Sequence, residues 1–262
     1  MQTTQQIPDM TEHGGRLTAL NIAGYPGYLV APLGPADQQR RWILFAPANL
    51  ATHKSEEHRW SGDRSVIEHQ FYAEAALAQG YHLAGVEVGL ACGSPKSIEA
   101  YQALYEKLVG EFGLSARVRI VCQSNGGLMA YNWAVRHADC VDRILGIYPA
   151  TDLRSWPGLA QACDPEFTRG TGYDITPEEL QAQLEAWNPI EQIGSLVRSG
   201  VKVLHLHGAE DSVVPAQPNS EEFVRRYRAL GGEAELVLIR NQNHTPGPPF
   251  YESRKAAEFL TQ

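Results

Sequence analysis

The stretch Arg119-Ile120-Val121-Cys122-Gln123-Ser124-Asn125-Gly126-Gly127-Leu128-Met129-Ala130 passes from an apolar, β-branched run through a serine into small residues and then helix formers. A strand that turns abruptly into a helix at a serine projects the hydroxyl above the sheet. The sharp turn needs small neighbours because it brings strand and helix backbones together. Gly126 and Gly127 follow Ser124, and Cys122 stands two residues before it, where such turns usually carry glycine. Cysteine is small enough for that position. The helix amino terminus behind Ser124 favours the negative charge that develops on a carbonyl oxygen during acyl transfer. Ser124 is therefore a candidate nucleophile rather than a helix-capping serine, and the N–H of Asn125 is a candidate oxyanion donor.

Outward from this segment, residues 42–46, 81–88, 118–122, 144–147 and 201–207 are near-continuous apolar runs of the kind that a sheet covered on both faces requires. Between them, residues 65–79, 97–111 and 126–137 carry apolar side chains at three- and four-residue spacing, with Gly80, Gly110 and Gly113 as stop signals. This alternation predicts an α/β fold, a right-handed, doubly wound and mostly parallel sheet. Residues 17–22 and 25–31, split by Ala23-Gly24, predict an opening antiparallel hairpin. Residues 151–200 break the rhythm with Pro157, Gly158, Pro165, Gly170 and Gly172 before a helix over 176–186 that Thr176 and Glu179 cap as a box. They read as a small cap-like insertion over the carboxyl edge of the sheet, within a single domain spanning 1–262. A helix over 220–230, a strand over 234–239 and a helix over 252–260 close the chain.

The chain of 262 residues carries 22 basic and 30 acidic side chains, a formal charge of −8. Excess negative charge without a basic cluster gives nucleic-acid binding little electrostatic footing. No apolar run approaches the ~20 residues of a membrane span. Residues 1–15 lack the basic and apolar regions of a secretory signal, although a leader already cleaved would leave no trace. Cys92, Cys122, Cys140 and Cys163 have neither zinc or redox spacing nor the density of a disulfide framework, so they read as reduced thiols of a cytoplasmic protein.

A serine nucleophile needs a base. In this topology the base follows the last strand and an acid follows the strand before it. His244 is the only histidine beyond His207, and it lies in a polar loop after residues 234–239. Asp211 is the candidate acid, in the loop after 201–207, with Glu210 the adjacent rival and Asp152 the distant one. The second oxyanion donor belongs to the loop after 42–46. Pro47 has no N–H, which leaves Ala48 first and Asn49 second. Trp60, Trp156 and Tyr173 are candidates for a substrate pocket, with Glu56 and Glu57 near its entrance; ordinary packing would suit the same aromatic side chains.

Ser124, Asp211 and His244 in that order, with His207-Gly208-Ala209-Glu210-Asp211-Ser212-Val213-Val214-Pro215 around the acid, resemble the α/β-hydrolase fold. Within it the chain resembles the prolyl-oligopeptidase and dienelactone-hydrolase-like branch of small bacterial serine esterases. The resemblance runs from about Arg16 onward and includes the stretches CQSNGGLMAYNWA and GIYPATDLRSWPG. It implies a cofactor-free serine hydrolase that cleaves small-molecule carboxylic esters, acylated carbohydrates or aromatic-acid esters among them, through an acyl-enzyme. A prolyl-oligopeptidase-like serine peptidase is the alternative, weakened by the lack of a second domain to gate peptides. A non-catalytic binding protein on the same fold is an alternative of another class. His205-Leu206-His207 with Asp211 faintly suggests metal ligands, but further ligands at suitable spacing are missing, so no metal is expected.

Overall fold

The computed structural model describes residues 10–47 and 69–262. The chain opens with an antiparallel hairpin, β1 (Gly15–Ile22) and β2 (Tyr25–Pro32), in which Ile22 faces Tyr25 across the turn. Ala23 and Gly24 both adopt positive φ, 51° and 89°, the twist that a two-residue hairpin loop demands. There follow β3 (Trp42–Ala46), α1 (Gln70–Ala78), β4 (His82–Val86), α2 (Pro95–Gly110), β5 (Val118–Gln123), α3 (Asn125–Arg136) and β6 (Val141–Ile147). Beyond residues 151–200 come β7 (Lys202–Gly208) and β8 (Ala234–Ile239). The strand order is β1-β2-β4-β3-β5-β6-β7-β8, antiparallel at β1/β2 and β2/β4 and parallel elsewhere. This is the expected doubly wound, mostly parallel α/β sheet.

Period-two alternation sorts the central strands onto two cores. Ile43, Phe45, Val121, Leu145 and Leu204 face one way and pack with Tyr72 and Leu77 of α1. Leu44, Ile120, Cys122, Ile144 and Val203 face the other way and pack with Leu104 of α2 and with Met129 and Trp133 of α3. Because both faces are covered, the strands read as continuous apolar runs.

Residues 151–200 hold α4 (Leu159–Cys163), α5 (Pro177–Ala182), α6 (Leu184–Trp187) and α7 (Gly194–Arg198). The Thr176–Glu179 capping box starts α5 as expected. The helix expected over 176–186 is interrupted at Gln183, whose ψ of 13° leaves the helical range, yet Leu180 and Leu184 still enter one apolar cluster. That cluster takes in Leu153, Ala162 and Tyr173 and rests on Leu128 of α3 and on Val214.

Two boundaries near the end differ from expectation. The helix over 220–230 begins as a π-type turn, Gln217–Glu221, in which Glu221 N–H reaches back to Ala216 O at 2.9 Å, before α8 (Glu222–Ala229). The wide turn brings Asn219 and Ser220 inward, where both are buried. The closing helix expected over 252–260 is α10 (Arg254–Thr261), and a short helix that was not expected, α9 (Pro248–Tyr251), precedes it. Prolines 248 and 249 favour the start of α9, and Ser253, extended, caps α10 by accepting from Ala256 N–H. Among the described residues no helix is long and apolar enough to cross a membrane.

Candidate active site

Strand β5 delivers Ser124 at φ 51° and ψ −122°, a conformation that L-residues rarely adopt. Neighbouring strands hold it there. Ser124 N–H donates to Ile147 O at 3.2 Å, and its carbonyl accepts from Gly127 and Ala150, both at 2.9 Å. The helix approaches so closely that a Cβ on Gly126 would stand 2.2 Å from Ala46 O, which explains the small residue there. Cys122 is fully buried in the core toward α3, and burial pushes its thiol up, so it stays protonated.

His244 lies in the loop after β8. Its Nε2 is 2.9 Å from Ser124 Oγ, and its Nδ1 is 2.7 Å from Asp211 Oδ2. Asp211 lies in the loop after β7, and its other oxygen accepts the N–H groups of Val213 at 3.0 Å and Val214 at 2.8 Å. Burial by itself would raise the Asp211 pKa. Bonds from His207 and His244, the charge available on His244 and the Val214 amide outweigh it and hold the carboxyl below the usual range. The rivals are elsewhere. Glu210 is exposed, and Asp152 pairs with Arg154 at 2.9 Å and Asn188 at 2.8 Å.

The two loops are laced together. Glu210 N–H donates to Gln242 O at 3.0 Å, and Asn243 Oδ1 accepts from Ser212 N–H at 3.0 Å and His244 N–H at 2.7 Å. A Cβ on Gly208 would stand 2.4 Å from Gln242 O, so this crossing needs glycine.

Behind the imidazole, the ring of Tyr148 stands 4.4 Å from that of His244 between centroids. Gln123, adjacent to the serine but pointing to the opposite face from Cys122, donates to Tyr148 Oη at 2.6 Å and to Tyr251 Oη at 2.7 Å. Its carbonyl oxygen pairs with His69 Nε2 at 2.8 Å. Burial lowers the His69 pKa to about 4 against the opposing bond to Gln123.

The remaining candidates divide. Asn125 begins α3, at the helix end whose first N–H groups point toward the Ser124 side. Ala48, Asn49 and Trp60 lie outside the described residues, as do Glu56 and Glu57. Trp156 is half-buried against the apolar cluster of Leu153, Ala162 and Tyr173. Tyr173 is buried, donates its hydroxyl to Gly93 O at 3.0 Å and lines a cavity of about 530 Å³ with Cys163, Thr168 and Thr176. None of Ser124, Asp211 and His244 lines that cavity.

Sequence reasoning passed over Gln123, Tyr148 and Asn243. Only the proximity of Gln123 to the serine and of Asn243 to the histidine gave any sign of them. His205 and His207 bond Ser220, Tyr131 and Val214 O. Among the described residues no three His, Cys, Asp or Glu side chains gather as a metal site.

A hydroxyl bonded to an imidazole whose other nitrogen is held by a carboxylate can pass its proton as it attacks a carbonyl. With this set raised over the carboxyl edge of a parallel sheet, the molecule is a serine hydrolase of α/β-hydrolase fold. The chain belongs to the prolyl oligopeptidase family, whose model matches residues 97–262. In fold it is similar to a puromycin-hydrolysing peptidase of Mycobacterium tuberculosis (TM-score 0.65, 18% identity, 97% of this chain and 39% of that one). It is also similar to TT1662 from Thermus thermophilus (0.62, 19%, 94% and 96%). A third likeness is to a Klebsiella pneumoniae protein provisionally assigned as a dienelactone hydrolase (0.60, 14%, 94% and 95%). The chain thus spans about two fifths of the mycobacterial peptidase and nearly the full length of the other two. No curated protein matches it.

Proposed function

We propose that the protein hydrolyses small-molecule carboxylic esters through an acyl-enzyme on Ser124. The observation that carries this reading is the unbroken bond path from Ser124 Oγ through His244 to Asp211 Oδ2, at 2.9 and 2.7 Å. In the first half-reaction Ser124 Oγ bonds to the acyl carbon while its proton passes to His244 Nε2. The tetrahedral oxyanion meets the Asn125 N–H, with a second donor expected from Ala48 or Asn49. As the intermediate collapses, the alkoxide leaves with the proton from His244. In the second half, water gives a proton to His244 and attacks the acyl carbon; collapse releases the acid and restores Ser124. Asp211, ionised and fixed on both oxygens, keeps the imidazole in the tautomer that this requires.

Residues 151–200 act as a cap-like insertion within one domain and set the choice of ester, with Trp156 and Tyr173 the side chains assigned to that selectivity. Four free cysteines suit a reducing compartment and support a cytoplasmic location. Membership of the prolyl oligopeptidase family favours a second reading, peptide hydrolysis by the same three residues. The test sets p-nitrophenyl acyl esters against aminoacyl p-nitroanilides, each with wild type and Ser124→Ala. Serine-dependent turnover confined to the esters supports the first reading, and a preference for the anilides the second. Turnover of the esters that is unaffected by Ser124→Ala refutes the nucleophile.

A further inference from the structure

Behind the acid runs a chain of buried polar side chains that the acyl-transfer steps leave unused. His205 and His207 alternate on β7, share one face, and are wholly buried. Tyr131 Oη on α3 is 2.7 Å from His205 Nε2, and His205 Nδ1 is 2.9 Å from Ser220 Oγ. The same Oγ is 2.7 Å from His207 Nδ1, and His207 Nε2 is 2.8 Å from the carbonyl oxygen of Val214. Asp211 Oδ2 stands 3.4 Å from that Nε2, the longer arm of a fork.

The direction of each bond follows from the carbonyl at one end. Val214 O only accepts, so Nε2 of His207 carries a proton. The ring's other nitrogen, Nδ1, then accepts, and the Ser220 hydroxyl donates to it. Ser220 has one proton, so the bond to His205 must be given by His205 Nδ1–H. His205 Nε2 is then left to receive the Tyr131 O–H. Burial, with the His207 ring beside it, lowers the His205 pKa to about 3, which keeps that ring neutral. Both nitrogens of each ring and the Ser220 proton are then paired.

A buried polar chain is costly to hold unless fully paired. The opposite face of β7 is filled by Leu204 and Leu206, so hydrocarbon would serve for packing alone. The position of the chain's end supplies the reason for it. Val214, whose carbonyl accepts the hydrogen bond from His207 Nε2–H, is the residue whose N–H bonds Asp211 Oδ1.

We infer that His207, its tautomer set by Ser220, His205 and Tyr131, is a positioning residue for the Asp211 carboxylate. Its Nε2–H clamps the Val214 turn, whose N–H holds Oδ1, and stands on the far side of Oδ2, the oxygen that receives His244 Nδ1–H. The inference rests on Ser124, His244 and Asp211 being the catalytic set. Held from both sides, Oδ2 stays in line with His244 Nδ1, so the imidazolium formed on attack is met without reorganisation.

The experiment measures p-nitrophenyl acetate hydrolysis and melting temperature for wild type, Asp211→Asn, His207→Asn and His207→Gln. Asparagine keeps a polar group near Nδ1 and loses the donor at Nε2, whereas glutamine places its amide nitrogen near Nε2. The expected result is a kcat lowered roughly tenfold or more by His207→Asn with KM little changed, and largely restored by His207→Gln. On wild type, ¹⁵N shifts of labelled histidine should show His207 protonated at Nε2 and His205 at Nδ1, a readout that needs no variant to fold. The opposite tautomers overturn the inference, as do Asn and Gln variants whose kcat simply tracks melting temperature. An inactive Asp211→Asn beside an unimpaired His207→Asn overturns it alone. An active Asp211→Asn removes the catalytic set and the inference together.

Discussion

Asn243 Oδ1 accepts the backbone N–H of Ser212, 3.0 Å away, so the residue before His244 is tied to the residue after Asp211. The same oxygen also takes His244 N–H, so one side chain ties the His244 loop to the Asp211 loop. Asn243→Ala should lower kcat/KM for p-nitrophenyl esters about tenfold, because a loosened loop misplaces the imidazole. Asn243→Asp keeps both acceptor bonds and should keep most of the activity. Equal losses in the two variants would show that the tie has no catalytic value.

Ser124→Ala should abolish labelling by a fluorophosphonate and cut ester turnover by about a thousandfold or more, leaving only catalysis by the oxyanion donors and binding. Iodoacetamide should leave turnover of the folded wild type intact, since burial keeps the Cys122 thiol protonated. Rapid inactivation through Cys122, with Ser124→Ala still active, would transfer the chemistry to sulfur.

Stability should fall as pH drops from 6.5 toward 4. Burial holds the pKa of His69 down to about 4 and that of His205 to about 3. Below the ordinary histidine value of about 6.5, the unfolded chain takes up protons that the folded one refuses, so stability complete at neutral pH is lost on acidification. Each ring contributes on the order of 1.4 kcal/mol per pH unit well inside that window. Asp211 is depressed instead, so its contribution is intact above the ordinary carboxylate value and disappears only below it. Urea midpoints measured from pH 7 to pH 5 give the slope, and His69→Gln should reduce it. A flat profile would contradict the neutral burial of both rings.

Trp156 stands half-buried against a cluster that rests on Leu128 of α3 and on Val214 beside the acid. Trp156→Ala should change the ratio of kcat/KM between acetyl and longer acyl esters by about tenfold with fluorophosphonate labelling retained, as loss of pocket contacts does elsewhere. A uniform loss across all esters would remove it from substrate selection.

The parallel strands around β5 were legible because buried parallel strands are apolar without interruption, whereas their order in the sheet was not read, and residues 234–239 were delimited to the residue. That Ser124, His244 and Asp211 come together was legible because chain order and loop position narrow the choice to a few residues. The helix break at Gln183 was not, since it interrupts an apolar period that continues beyond it, and neither was the short helix Pro248–Tyr251. Gln123, Tyr148 and Ser220 escaped notice because a buried hydrogen-bond partner leaves no periodic mark. The pairing of Ser220 with β7 depends further on a π-type turn that residue spacing does not encode.

The backbone of Ser124 has one further consequence, for heredity rather than for chemistry. A non-glycine residue at φ 51° and ψ −122° gives up about 1–3 kcal/mol of folding free energy, and glycine would recover much of it. Ser124→Gly should therefore melt above both the wild type and Ser124→Ala while being inert. Mutational drift in a lineage released from its catalytic duty would favour glycine at this site, so loss of the hydroxyl and a gain in thermal robustness would arrive in the same codon.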